Sequence, residues 1–414
     1  MKTDIYVVGI GFSALTEEKR EIFEKSKYIV TSPRLYERFS EINEGERFIE
    51  KIRIIKSVDE TIEFIRKTIQ KIKPITVLAS GDPLFFGIGR RILAEFGAQK
   101  VEILPELSSI QIAFSKIKIP WDSVYFVSLH GSIQGVGVRK YSIDDIPALL
   151  RHYDKLCILT DFENTPQRIA EKLSHFFEKN SYIRLYVCEK LGYTDERITE
   201  GTVEDIKRGF FEYPNLLIVD KTGNSSHPIF GLKEGEIEHT KSLITKDEVR
   251  AVVIHKLRVP KGGIIWDIGA GSGSVSLEIA QISPQLKIFA IEKNEEMIGV
   301  LEKNRRKLSL SNVYIIKGEA PEALHGLPSP DRVFIGGSGG RLREILEFLG
   351  KLQCSPIAMT AVKIKTLSEA LDCLKNYSYE PLVSQLCHFR MKEIGDSQYF
   401  SAQNPVFIIV GEKR

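Results

Sequence analysis

The stretch WDIGAGSGSVSLEIA (Trp266–Ala280) restricts the folds open to this chain more than any other. Ile264–Ile268 has the composition of a buried strand, and the residues after Gly269, Gly271 and Gly273 carry a helical apolar period. Glycines let the backbone take positive φ and come close to a ligand. The free N–H groups of the following helix attract carboxylate or phosphate. The next apolar segment, KIFAIE, ends at Glu292, about 20 residues beyond the loop, where an acidic side chain can hold a ribose diol. A nucleoside-containing ligand is expected. The spacing is G-x-G-x-G, with Ser274 where the dinucleotide pattern places a third glycine. An ordinary strand–helix turn and a nicotinamide site are the competing readings.

Strands alternate with helical patterns from end to end, which predicts parallel α/β sheets. At 414 residues the chain exceeds one ordinary core. The break falls at 221–242, KTGNSSHPIFGLKEGEIEHTKS, rich in Gly, Ser, His and charge and without periodicity, as in a linker. This gives a domain at 1–220, with lobes of about 1–131 and 142–220 parted around Ser132–Tyr141, and a second domain at 243–414. In the latter, strands are expected at Ile264–Ile268, Lys287–Glu292, Val313–Lys317, Arg332–Ile335, Ile357–Ala361, Leu382–His388 and Val406–Val410. Helices fill the gaps, as at Glu295–Leu308 and Leu342–Leu352. The second lobe carries strands at Leu156–Leu159, Arg184–Cys188 and Leu216–Val219.

Ligands of such sheets bind at the carboxyl ends of the strands. There the C-terminal half gathers the glycine loop, Glu292, Gly318-Glu319-Ala320, the run IGGSGG at Ile335–Gly340, and Thr360 onward. In the N-terminal half the corresponding features are Gly9-Ile10-Gly11, SGDPLFFGIG (Ser80–Gly89) and PELSSIQIAF (Pro105–Phe114). Gly81-Asp82-Pro83 alone also fits a helix-capping turn. His130 could line a pocket or be structural. His388, Arg390 and Lys392 could meet substrate carboxylates or form a solvated edge. No Ser–His–Asp order, metal-ligand cluster or P-loop is present, and no metal is expected.

The loop beginning at Asp267 resembles the S-adenosylmethionine (SAM) loop of class I methyltransferases. The first ~220 residues resemble the tetrapyrrole (class III) methyltransferases of the corrin branch acting at carbon 5, through VVGIGF, TSPRLYERF, LASGDPLFFGIGR, PELSSIQIAFSKIKIPWD, VSLHG and CEKLGYTDERITEG. Residues from about Gly231 on resemble the partner methyltransferase acting at carbon 15, through TKDEVRAVVIHKLRV, AIEKNEE, GEAPEAL, PDRVFIGGSGG and AQNPVFII. Fused in this order they resemble the precorrin-6Y methyltransferase (decarboxylating) family of cobalamin biosynthesis.

The resemblance implies a two-lobed tetrapyrrole methyltransferase fold followed by a class I Rossmann-like sheet whose last strand runs antiparallel. It implies two SAM-dependent C-methylations and loss of carbon dioxide from the ring C acetate of an acidic precorrin. The first SAM site would use Gly9, Gly11, Gly81, Asp82, Ser108, Ser109, Leu159 and Leu191. The second would use Asp267, with Gly269, Gly271 and Gly273 at the methionine moiety, Glu292 at the ribose, and Glu319 and Ala320 at the adenine. Glu106 stands where the family more often has glycine, and TAVKIKT (Thr360–Thr366) is less typical, which argues against Thr360 and Lys363 as catalytic residues. Ser338 and Asn404 are, by position, the candidates for the proton donor in decarboxylation. The acceptor is the metal-free precorrin or its cobalt-containing equivalent. More remote alternatives are another methyl acceptor, a nicotinamide-dependent oxidoreductase, or a non-catalytic tetrapyrrole carrier.

Composition narrows the partners. A net charge of +3 without a basic tract points away from nucleic acid. No apolar run approaches the ~18 residues of a membrane span, and MKTDIYVVGIGF reads as a first strand rather than a signal peptide. Five scattered cysteines fit a reducing cytoplasm. A homo-oligomer is the expected assembly.

Overall fold

The computed structural model describes residues 3–11, 14–41, 45–130, 141–177, 182–222, 228–240, 244–352 and 354–413. Of the break expected between the lobes at 132–141, residues 132–140 lie outside the described residues, and the first lobe ends earlier than 131, because Tyr125–Ser128 pairs with Lys155–Leu159 in the sheet of the second lobe. The first lobe is a parallel five-stranded sheet, in spatial order Ile52–Ile54, Tyr28–Thr31, Ile75–Ser80, Ile5–Ile10 and Val101–Leu104. Its central strands are near-continuous apolar runs because helices cover both faces. Sequence caps set the helix starts. Thr16 accepts from the Lys19 N–H at the head of Glu17–Lys25, and Ser108 with Gln111 forms a capping box on Ser109–Ile117.

The second lobe is a mixed sheet in the order Tyr125–Ser128, Lys155–Leu159, Asn215–Lys221, Ile183–Glu189 and Arg197–Gly201; only its first pair is parallel. The C-terminal half is a seven-stranded sheet, ordered Val313–Lys317, Leu286–Glu292, Gly263–Ile268, Arg332–Ile335, Ile357–Ala361, Val406–Lys413 and Tyr379–Leu386. Val406–Lys413 runs antiparallel to both neighbours, as the resemblance implied. All seven expected strands form, within a few residues of their expected limits.

Two features differ from expectation. A hairpin, Phe389–Ile394 paired with Ser397–Ala402, joins the last two sheet strands. Its apolar residues contribute to no core, so their alternation pointed to none. The segment 221–242 is also no free tether over its described part 228–240. Leu232 and Ile237 are buried in the C-terminal core. The Glu278 carboxylate accepts from the N–H groups of Gly231 at 2.6 Å and Leu232 at 3.0 Å, and from Arg250 Nε at 3.0 Å.

The halves dock through the second lobe. The Ala148 N–H, in the first turn of helix Ile146–His152, has no partner within the helix and donates to Ser311 Oγ across the interface at 3.1 Å. Arg151 donates to Leu308 O at 2.8 Å and to Gln281 Oε1. Ser309 Oγ donates to Phe176 O at 2.6 Å, and the Arg305 guanidinium lies 5.6 Å from the Phe176 ring. Burial pushes the Arg151 guanidinium down to about 10. Arg151→Ala should leave Leu308 O and Gln281 without these donors at a cost of about 2–3 kcal/mol. Differential scanning calorimetry should then show the two halves melting separately. Superimposable wild-type and variant traces would contradict this coupling.

Candidate active sites

Both clefts lie at the carboxyl ends of parallel strands. In the N-terminal half three loops cross there. A Cβ on Gly9 would fall 2.1 Å from Gly81 O and 2.8 Å from Glu106 N, and one on Gly81, whose φ is +61°, would fall 2.8 Å from Ser108 Cα. Gly9 and Gly81 therefore form the packed floor and do not line the cleft. The wall of this cleft, about 390 Å³, includes Gly11, Asp82, Ser108 and Ser109, with Leu159 and Leu191 facing them from the second lobe. Two of these polar groups also hold backbone: Asp82 Oδ1 accepts from the Leu84 N–H at 2.8 Å, and Ser108 Oγ from Gln111 N at 3.3 Å.

Glu106, the departure from the family pattern, folds back over Gly11. A Cβ on Gly11 would meet Glu106 Cγ at 2.3 Å. Its carboxylate pairs with the buried Lys19 Nζ at 2.7 Å, and Lys19 also donates to Gly9 O at 2.9 Å. The backbone before Ser108 is thus kept by an internal ion pair. Arg34, Arg38 and Lys56 also line the cleft. No local sequence signal marks them as cleft residues, although the first two lie inside TSPRLYERF.

The C-terminal cleft, about 660 Å³, is lined by Asp267, Gly269, Gly271, Ser274, Gly336, Gly337 and Ser338, and on the opposite wall by Lys246, Thr360, Lys363 and Thr366. Gly273 sits behind the wall, where a Cβ would strike Leu301 Cδ1 at 2.1 Å. Gly269, at φ +73°, passes against Gly337, whose carbonyl would lie 2.4 Å from a Cβ. A side chain at Gly269 would therefore close the gap between the loop and IGGSGG. Thr360 and Lys363, argued against by sequence, do reach the cleft. Asn404 does not: it is exposed, in the turn between the hairpin and Val406–Lys413.

Glu292 holds the glycine loop from behind. Its carboxylate accepts from the N–H groups of Gly271, Lys293 and Asn294, each at 2.8 Å. Glu319 lies beside it, paired with Lys293 at 2.7 Å, and Ala320 is buried. Neither lines the described cleft. Asp267 is the group with the most distinctive electrostatics. One oxygen accepts from Ser276 N at 3.0 Å and Ser276 Oγ at 2.6 Å; the other, Oδ1, is buried without a partner among the described residues. Burial pushes its carboxyl up to about 6, against the opposing pull of the Ser276 hydrogen bonds. An unpartnered acceptor beside the loop fits a ligand that brings a donor or a positive charge, as SAM does.

These elements define a two-domain methyltransferase, a tetrapyrrole methylase fold followed by a class I SAM-type sheet. Residues 4–207 match the model of the Tetrapyrrole (Corrin/Porphyrin) Methylases, and residues 237–413 match that of the Precorrin methyltransferase domain. The chain is 30% identical over 341 residues to the precorrin-6Y C(5,15)-methyltransferase [decarboxylating] of a Sinorhizobium species, covering 80% of this chain and 78% of that protein. It belongs to the precorrin-6Y C(5,15)-methyltransferase (decarboxylating) family. It is also 35% identical over 173 residues to the cobalt-precorrin-6B C(15)-methyltransferase (decarboxylating) of Salmonella typhimurium, covering 41% of this chain and 89% of that one. A solved structure described as precorrin-6y C5,15-methyltransferase from Geobacter metallireducens is 40% identical, with 46% of this chain and all of that chain covered and a TM-score of 0.44.

The Asp267 shift has a stability consequence. Its folded value lies above the ordinary 3.8, so the native state binds the extra proton and gains stability as pH falls from about 6 toward 4. Above pH 6 the buried carboxylate costs roughly 2–3 kcal/mol. Asp267→Asn should therefore raise the melting temperature at pH 8, with the gain vanishing near pH 4. A variant equally destabilised at both pH values would refute this account.

Proposed function

We propose that this chain methylates a precorrin-6 intermediate at carbons 5 and 15 and removes carbon dioxide from its ring C acetate, with SAM bound at two separate sites, as a step of cobalamin biosynthesis. The observation that carries this reading is the presence of two glycine-floored clefts on two different sheets of one chain. The halves bearing them match a tetrapyrrole methylase model and a precorrin methyltransferase model. Carbon 5 falls to the N-terminal cleft. Carbon 15 and the decarboxylation fall to the C-terminal cleft, in keeping with relatives named for the carbon 15 activity that align over about the length of one half.

Bound SAM supplies an electrophilic methyl group on a sulfonium. The macrocycle carbon is an enamine-like nucleophile, so the protein's work is to align the two and keep water out. In the N-terminal cleft Gly11, Asp82, Ser108 and Ser109 hold the cofactor against Leu159 and Leu191, over the floor that Gly9 and Gly81 permit. In the C-terminal cleft Asp267, Gly269 and Gly271 receive the methionine end, with Gly273 behind the loop. Glu292, which holds the loop through the Gly271 N–H, would meet the ribose, and Glu319 and Ala320 would meet the adenine. In decarboxylation the bond to the carboxylate breaks, carbon dioxide leaves, and its electron pair passes into the protonated macrocycle. A proton then returns to the exocyclic carbon, and Ser338 is the residue placed in the cleft to relay it.

The acceptor is the metal-free precorrin or its cobalt form, and parallel incubations with each distinguish them by product mass. The chain works in the cytoplasm; among the described residues no helix is long and apolar enough to cross a membrane. A homo-oligomer is the assembly this reading expects, and the hairpin leaves Phe389, Met391, Ile394 and Phe400 exposed.

Two results test the division of labour in the full chain. Glu292→Ala should weaken SAM binding by about 10- to 150-fold at one of two calorimetric sites, the loss of roughly 1.5–3 kcal/mol from a charged contact. Two unaltered isotherms would remove Glu292 from the cofactor site. Asp82→Ala should leave a product that has gained one methyl (~14 Da) and lost carbon dioxide (~44 Da), because positioning in the second cleft is untouched. Loss of both events together in that variant would mean that the clefts share one active site.

A further inference from the structure

The N-terminal cleft carries cations that the cofactor chemistry leaves unused. Among the described residues its lining contains Arg34, Arg38 and Lys56 but a single carboxylate, Asp82, already bonded to the Leu84 N–H. Arg38 is committed: it donates to Gly192 O at 2.7 Å and lies 5.1 Å from the Tyr193 ring, bridging the lobes. Arg34 and Lys56 are exposed and make no side-chain hydrogen bond or ion pair with any described residue.

Arg34 is also placed against its local electrostatics. It stands in the first turn of helix Pro33–Glu41, which holds no acidic residue there, and the helix dipole disfavours a cation at that end. Such a local conflict without a partner is expected where a side chain serves a ligand. Across the mouth stands His130 of the second lobe. The protein packed around its ring, and then Arg34, lower its pKa, while Asp161 works the other way. Arg34 and His130 both line the cleft, one from each lobe. The same mouth presents flat apolar surface: Phe86 is 37% exposed, and Tyr213 lines the cleft with Phe162 tilted on it at 4.1 Å.

Resting on the function proposed above, we propose that Arg34 and Lys56 bind carboxylate side chains at the edge of the tetrapyrrole and so fix which macrocycle carbon faces the methyl donor in the N-terminal cleft. Aromatic rings cover the face of the macrocycle, and the two cations read its rim. Both are positioning residues. Arg34 can grip a carboxylate with two parallel N–H donors, whereas Lys56 offers a point charge.

The test uses the full chain and a commercial octacarboxylate porphyrin, uroporphyrin I, followed by its fluorescence, alongside SAM calorimetry. Arg34→Glu should weaken porphyrin binding by about tenfold or more, equivalent to about 1.4 kcal/mol, and Arg34→Lys should restore most of it. SAM affinity should be unchanged in both. Lys71→Glu, the same charge change on an exposed lysine outside the cleft, should bind porphyrin like the wild type. With the precorrin substrate, Arg34→Glu should raise KM for the first-site methylation while kcat changes little. Wild-type porphyrin affinity in Arg34→Glu, an equal loss in Lys71→Glu, or a matching loss of SAM binding would each overturn the assignment. If the wild type binds SAM but no tetrapyrrole, the function proposed above falls as well, which separates the two failures.

Discussion

The C-terminal cleft depends on a charge pair held out of water. Glu278 and Arg250 are 1% and 2% exposed. A buried pair of this kind is tolerated only when its hydrogen bonds are all made, and removing one partner strands the other. Here they are made by three segments at once. Glu278 belongs to helix Ser274–Ile282, whose first turn carries the glycine loop; Arg250 belongs to helix Asp247–Leu257; and the chain at Gly231 and Leu232 donates its N–H groups to the carboxylate. Arg250 returns hydrogen bonds to Leu232 O and Thr245 O. The pair therefore sets the angle of the loop helix, seats the strap that enters the domain, and brings Thr245 and Lys246 to the cleft wall.

The N-terminal cleft is built on the opposite principle. No side chain could occupy the crossing of Gly9, Gly81 and the Glu106–Ser108 segment, so main chain packs on main chain. The one large side chain near it, Glu106, is accommodated because Lys19 neutralises it and also ties down Gly9 O. A glycine at 106 would leave Lys19 without this carboxylate. The pair has taken over part of the work of shaping the loop.

Between the halves, the interface joins the last turn of the loop helix, through Gln281, to Arg151 of the second lobe. The two clefts are thus carried on one connected framework. The pronounced carboxyl shift at a cleft wall, that of Asp267, arises from burial beneath the loop.

Local signals were legible in the sequence because they are local in physics. Strands covered on both faces are near-continuous apolar runs, side chains that cap helices are Ser, Thr or Asn, as at Thr16, Ser108 and Asn294, and positive φ at Gly81, Gly269, Gly271 and Gly273 favours glycine. These determined the two α/β halves, the strand limits and the positions of both glycine loops. Tertiary structure alone decided which of the expected residues face a ligand. Gly9, Gly81 and Gly273 pack beneath or behind the clefts, Glu292 also buttresses its loop, and Asn404 lies at the surface, because each depends on segments far away in sequence. The hairpin, the docked strap and the free cations of the first cleft were hidden for the same reason. Whether an Arg, a Glu or an apolar stripe is paired, buried or open is set by what packs against it, and periodicity along one chain segment carries no record of that neighbour.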